Sequence, residues 1–310
     1  MKAATFHSRK YLSAGQMIDR TAECPVCLSQ RPRRAIHVIQ RNPIVELLAC
    51  PSCRACSASH MPTRQTLDEY YSSYYDQKDQ MVTFRDTARF AHNLLAPIRA
   101  RWPARARDSL RILDYGGGDG SLALAAAAQI LHARETRSVQ ILLVDYVGPA
   151  PTTPSNVTLQ HVRPVDQIDG EWDLIVASAI LEHVPEVNPV LHKLFESVAP
   201  GGYFYARTPY VAPFTAVMRN LDLTYPAHVH DMGSSFWNRA AEIFSFDADY
   251  VATRTSIVET EMLRDPLRTL AAYVLKAPSR FEELFSTSRR RDRFWNLVGG
   301  WEVLLRRRDG

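Results

Sequence analysis

Residues Ser109 to Ala128 read SLRILDYGGGDGSLALAAAA, and the rest of the chain is organised around them. Leu110 to Leu113 is an apolar run of buried-strand length, and Asp114 closes it. Gly116, Gly117, Gly118 and Gly120 surround Asp119, and Leu122 to Leu131 then has the composition of a helix. Strand, glycine turn and helix in that order place backbone N–H groups and a helix N-terminus at the carboxyl edge of a parallel sheet, where nucleotide-like ligands bind. The turn needs glycine because a side chain would block close approach, and because such turns visit positive φ. The dinucleotide fingerprint G-x-G-x-x-G/A fits poorly, since its third small position falls on Ser121. That misfit disfavours a nicotinamide-dependent reductase.

Alternating elements follow. Val139 to Val144, Asn156 to Val162, Trp172 to Ser178 and Tyr203 to Arg207 read as strands. Pro189 to Val198 reads as a helix with Val190, Leu191, Leu194, Phe195 and Val198 on one face. Such alternation predicts an α/β fold with a doubly wound, mostly parallel sheet. Thr87 to Ile98 and Ser234 to Phe244 read as further helices, and Tyr250 to Val258 and Trp301 to Leu305 as late strands.

The spacing Asp114-x-Gly116-x-Gly118-x-Gly120 resembles the first motif of class I S-adenosylmethionine-dependent methyltransferases. Asp145 after the second strand, and Asp173 with Leu181-Glu-His-Val184 around the fourth, resemble later motifs of that family. The resemblance implies a Rossmann-like sheet closed by antiparallel strands, which Tyr250 to Val258 and Trp301 to Leu305 supply. It implies that the glycine loop and Asp114 hold the methionine part of S-adenosylmethionine. It also implies that Asp145 binds the ribose hydroxyls, with Tyr146 and Ser178 beside the cofactor. A carboxylate suits a vicinal diol because it offers two acceptors in a plane. The adenine contact has no clear counterpart: Val162 and Arg163 stand where an acid is expected, and Asp166 comes late.

All five cysteines lie between Cys24 and Cys56. Cys24-Pro-Val-Cys27 and Cys50-Pro-Ser-Cys53 are two CxxC pairs separated by 22 residues. Four thiolates suit a closed, structural zinc site with no position left for water. Cys53-x-x-Cys56 is a competing pair, and the shared CPxC form favours Cys50 and Cys53. Between the pairs, VIQRNPIVELLA reads as a hairpin around Asn42-Pro43. A clustered set of this kind points to a reducing compartment, and the expectation is a cytoplasmic protein.

The expected organisation is a zinc knuckle and Tyr-rich bridge at 1–80, a cofactor domain at 81–210 and an acceptor-side segment at 211–310. A small cysteine module, a Tyr-Tyr segment (TLDEYYSSYY, Thr66 to Tyr75) and a glycine-loop domain together resemble bacterial methyltransferases that act on sugars or glycan precursors. The tyrosines either pack the module onto the main domain or line the acceptor pocket. Thr224 to Asp231, TYPAHVHD, is expected on the cofactor's open side. His228, His230 and His183, in that order, are the candidate bases for a hydroxyl acceptor. Each also has a structural reading, and His228, His230, Asp231 and Asp222 form a weaker candidate cation site.

Composition limits the partners. A net charge of +4 on 310 residues argues for no specific nucleic acid. The position after the fourth strand reads Ala177-Ser-Ala-Ile180, not the Asn/Asp-Pro-Pro-Tyr of base-amine methylation. These features weigh against a zinc-containing RNA methyltransferase, and the retained acids and glycines weigh against a non-catalytic partner protein. No apolar run approaches the roughly 20 residues of a membrane span. Residues 260 to 298 are expected as a helical insertion carrying Arg289-Arg-Arg-Asp-Arg293 beside Phe294 and Trp295. That cluster is either a solvated face or a contact for a membrane surface or anionic acceptor. Oligomeric state is not encoded in any of these patterns.

Overall fold

The computed structural model describes residues 9–75, 86–99, 107–133, 136–145, 152–162, 167–218, 221, 223–258, 265–285 and 299–310. The chain opens with a small antiparallel sheet: β1 (Arg34–Arg41), β2 (Ile44–Ala49) and β3 (Cys56–Ala58). The β1–β2 hairpin turns at Asn42-Pro43, where the sequence places it. α1 (Arg64–Tyr75) follows, so the tyrosine segment is helical. α2 (Thr87–Arg99) leads into the main sheet.

That sheet is built from β4 (Arg107–Tyr115), β5 (Thr136–Val144), β6 (Val157–Val162), β7 (Trp172–Ser178) and β8 (Val198–Tyr210), all parallel. α3 (Ser121–His132) connects β4 to β5, and α4 (Val187–Glu196) connects β7 to β8. A two-residue strand, β9 (His230–Asp231), and α5 (Ser234–Ile243) come next. β10 (Ala248–Thr255), α6 (Pro266–Phe285) and β11 (Gly299–Arg307) end the chain. β11 lies antiparallel between β8 and β10, giving the order β10-β11-β8-β7-β4-β5-β6. The expected doubly wound sheet with antiparallel closing strands is therefore the one observed, and α6 occupies part of the expected insertion.

Two apolar layers sandwich this sheet. α2 and α3 cover one face through Phe90, Leu94, Ile98, Leu122, Ala126 and Ile130. α4 and α5 cover the other through Leu191, Leu194, Phe195, Phe236 and Trp237. Alternation along β8 feeds both layers: Tyr203 and Tyr205 join the first, Phe204 and Ala206 the second. β4 is the switch point, with β5 and β6 added on one side and β7 and β8 on the other, so its carboxyl end opens the ligand crevice.

The small sheet does not close on itself. β9 pairs antiparallel with β3, Cys56 opposite Asp231 and Ser57 opposite His230. Its order is therefore β1-β2-β3-β9, and a segment from beyond residue 211 becomes the fourth strand of the N-terminal module. Cys24, Val26, Cys50 and Cys53 share one apolar cluster with α4.

Candidate active site and cysteine cluster

The crevice at the end of β4 is made by backbone. Gly116 has φ +68°, and a Cβ there would lie 2.2 Å from Ile180 Cγ1. At Gly117 a Cβ would lie 2.3 Å from Asp114 Oδ2. Both positions demand glycine for lack of space, and Gly116 also for its dihedral. Gly118 and Gly120 likewise have positive φ. The Gly116 N–H donates to the Val144 carbonyl at 2.7 Å, which ties the loop to the end of β5. Asp119 precedes the Gly120 cap of α3, and its Oδ1 accepts the Ser121 N–H at 3.0 Å in a local turn.

Two carboxylates flank this loop. Asp145, buried just past β5, accepts the Gly118 N–H on Oδ2 at 2.8 Å. Its own carbonyl accepts the His161 Nε2–H at 2.9 Å, and its N–H donates to Val162. Asp114 is fully buried under the glycines, and its Oδ2 makes no hydrogen bond. Burial, with help from the charge of Asp145, pushes Asp114 up to about 7, and the Ala123 N–H opposes the shift. A buried acid with an unused oxygen, a loop with no room for a Cβ at Gly116 or Gly117 and a second carboxylate on the adjacent strand fit the amino-acid and ribose ends of a nucleoside cofactor.

Ser178 ends β7 inside the protein, its Oγ accepting the Arg207 Nε–H at 3.2 Å. Arg207 is buried on β8 beside it, 5.3 Å above the Phe90 ring. Tyr146 lies outside the described residues, as do Asp166, Asp222 and the arginine-aromatic cluster at 289–295.

The histidines separate. His183 and His228 meet, ring centroids 4.6 Å apart. His183 Nδ1 lies 2.8 Å from the Ala227 carbonyl oxygen and 3.0 Å from the Tyr71 hydroxyl. A carbonyl only accepts, so Nδ1 carries the proton and Nε2 is the basic nitrogen. Glu182 Oε1 is 4.0 Å from that Nε2, and Glu182, His183 and His228 bring their ligand atoms within 4.8 Å of one another.

His230 does not join them. It is buried, and its Nε2–H faces the carbonyls of Val184 at 2.9 Å and Pro185 at 3.3 Å. Its Nδ1 accepts from Ser57 Oγ at 2.9 Å. Burial pushes it down to about 4, so it is neutral near pH 7 with both nitrogens engaged. The expectation of His230 as a base is therefore corrected: its lone pair is committed within the fold. Asp231 is also internal, its Oδ2 accepting the N–H groups of Val211 at 2.6 Å and Ala212 at 3.2 Å. The candidate cation set of His228, His230 and Asp231 is not assembled.

The cysteines gather as the two CxxC pairs predict. Cys24 Sγ lies 3.7 Å from Cys53 Sγ, and Cys27 Sγ 3.8 Å from Cys50 Sγ. All four sulfurs fall within 4.8 Å of one another. A tetrahedral ion with Zn–S bonds of about 2.3 Å needs sulfurs about 3.8 Å apart, which matches. Hydrogen bonding between the two thiols drives Cys27 down and Cys24 up from the ordinary thiol range. Cys56 is buried at the start of β3 and stands outside the four-sulfur set.

Sequence reading missed Tyr71 and Arg207 as site residues. For Tyr71 a weak signal existed in the Tyr-Tyr segment. Arg207 carried none beyond being a cation inside an apolar strand.

The family described as "Methyltransferase domain" matches residues 87–242. "Methyltransferase str3" of Strobilurus tenacellus is 32% identical over 120 residues, covering 37% of this chain and 39% of that protein. "Ubiquinone biosynthesis O-methyltransferase" of Erwinia tasmaniensis is 28% identical over 124 residues, covering 36% of this chain and 49% of that one. The matched region thus spans less than half the length of either relative. Among solved structures, the plantazolicin methyltransferase BpumL bound to SAH aligns with a TM-score of 0.45 and 12% identity, over 79% of this chain and 91% of that one.

Gly117→Ala forces its new methyl against the Asp114 carboxyl. The expected result is a loss of roughly 1–3 kcal/mol of stability in chemical denaturation, because loop and acid must part. An unchanged midpoint would show that the loop has room the distances deny.

Proposed function

The chain belongs to the methyltransferase-domain family, and on that premise we propose that it is an S-adenosylmethionine-dependent methyltransferase. The acceptor is a hydroxyl of a small molecule, a sugar or glycan precursor first among them. The observation that carries this reading is the Gly118 N–H held on the Asp145 carboxylate, which joins the glycine loop of β4 to the acid of β5 in one crevice.

The bound cofactor supplies an electrophilic methyl group on a sulfonium. The protein binds it and aligns the acceptor, and much of the rate comes from that alignment. Asp145 would accept from the ribose diol. The close-packed glycine loop and Asp114 would hold the amino-acid end. His183 takes the acceptor proton on Nε2, since the Ala227 carbonyl keeps the proton on Nδ1. His228 packs against that ring and completes the acceptor side. An oxygen acceptor agrees with the name of one relative, an O-methyltransferase, and with the missing base-amine motif. Cys24, Cys27, Cys50 and Cys53 would hold a structural zinc, because four sulfurs close its coordination.

Three measurements test these assignments. Asp145→Ala should weaken S-adenosylhomocysteine binding by about 1–3 kcal/mol in calorimetry, and an unchanged affinity would remove the ribose role. Free Asp114 keeps its proton up to about pH 7, whereas a neighbouring ammonium favours the carboxylate. Affinity should therefore rise as pH climbs through about 7 and level off above it, with proton release on binding at lower pH. A flat profile in wild type would remove the Asp114 role. Purified protein should carry about one zinc per chain by elemental analysis, and Cys53→Ser should lose it. A metal-free wild type would end the zinc assignment.

A further inference from the structure

The N-terminal module touches the acceptor side at several points that converge on one residue. Tyr71, on α1, places its hydroxyl 3.0 Å from His183 Nδ1. The Ala58 N–H of β3 donates to the Val229 carbonyl at 2.8 Å, and the Val229 N–H donates to the Glu182 carbonyl at 2.9 Å. These two bonds form a relay from the cysteine sheet to the residue before His183. His230, paired with Ser57 across β3 and β9, caps the carbonyls of Val184 and Pro185, just after His183. Asn188, at the start of α4, donates Nδ2–H to the Val26 carbonyl between the first two cysteines at 2.8 Å. Residues 182, 183, 184, 185 and 188 are thus all tied, directly or through one residue, to the cysteine module.

We infer that this module completes the acceptor side of the active site, with Tyr71 and His230 as positioning residues for His183. The inference rests on His183 being the proton acceptor. The Nδ1–H sits between two oxygens, the Ala227 carbonyl and the Tyr71 hydroxyl. Two acceptors on that proton fix the tautomer and raise the basicity of Nε2, because they stabilise the imidazolium that forms when Nε2 is protonated. His230 works one step further out: by binding both carbonyls after His183, it holds the turn that aims the ring. A tetrahedral ion on the four cysteines would lock the loops that frame β2 and β3, and the relay carries that rigidity to Glu182 and His183.

The test uses the full chain, labelled with ¹⁵N-histidine. Long-range proton–nitrogen spectra read the tautomer and titration of His183, assigned by His183→Gln. Wild type should show a protonated Nδ1 and a bare Nε2. Tyr71→Phe should lower the His183 pKa by about half a unit to one unit, the equivalent of one hydrogen bond. His230→Gln should broaden or shift His183 while S-adenosylhomocysteine affinity stays within about twofold, since the glycine crevice is untouched. Stripping the metal with a mercurial and a chelator should raise amide exchange about tenfold in peptides covering 181–184 and 225–231, with β4 and β5 still protected. An Nε2–H tautomer in wild type, a titration indifferent to Tyr71→Phe, or equal loss of protection in β4 and β5 would each overturn the inference. If untreated protein failed to bind S-adenosylhomocysteine, the methyltransferase reading would fall and this one with it. Intact binding with the wrong tautomer would sink this one alone.

Discussion

The close approach of bare backbone to a buried carboxyl, at Gly116 to Gly118 over Asp114, is the contact on which the rest of the site depends. The carboxyl ends of β4, β5 and β7 converge there. Asp114 comes from the first, Asp145 from the second, and Ile180 from the turn after the third. A side chain at Gly116 would collide with Ile180, and one at Gly117 with Asp114. Within the protein the Gly116 N–H is met by Val144, the Gly118 N–H by Asp145 and the Gly120 N–H by Gly117, which holds the loop in shape at the mouth of the crevice. Burying a carboxyl this deeply is unfavourable, and the molecule meets that cost by letting Asp114 hold its proton near neutrality.

The second constraint is structural economy at the acceptor side. A module with three short strands and a hairpin has little apolar surface of its own. Here it borrows β9 from the distant loop and shares the cluster around α4. Its own core, with Ile39, Val45 and Leu47, also draws in Val211, Phe214, Leu221 and Tyr225 from beyond β8. The module and the acceptor-side loop are each incomplete without the other. Boundaries drawn along the chain therefore do not separate independent bodies.

The antiparallel edge has its own anchor. Glu302, buried on β11, accepts Arg254 Nε–H at 3.1 Å and the Ile257 N–H at 3.1 Å, with Asn93 of α2 at 3.4 Å. A buried charge is tolerated only when paired and hydrogen-bonded, and these partners come from β10, the segment just after it and α2. The edge strands are thereby fastened to the helix that precedes the glycine-loop strand.

Much of this was legible in the residues alone. Apolar runs of strand length marked four of the five parallel strands, because a strand buried on both faces must be apolar throughout, whereas the edge strand β6 carries exposed Thr158, Gln160 and His161. The glycine spacing marked the crevice, because Gly116 and Gly117 leave no room for a side chain there. The two CxxC pairs marked the four-cysteine cluster, because two turns of that form can converge four sulfurs.

The roles of the histidines were not legible. Residues two apart in an extended segment share a face, so local pattern puts His228 and His230 together. In the fold only His230 enters the ladder with β3, and its ring is buried between two carbonyls and Ser57. His228 leaves the preceding turn and meets His183, 45 residues earlier in the chain. Tyr71 reaches His183 across 112 positions, and Cys56 is excluded from the cluster by its place in β3. The sequence by itself determined the sheet, the crevice and the cysteine cluster, since each follows from local spacing and burial. Tertiary structure alone decided which imidazole keeps a usable lone pair, because that depends on which carbonyls and hydroxyls distant segments bring to each nitrogen.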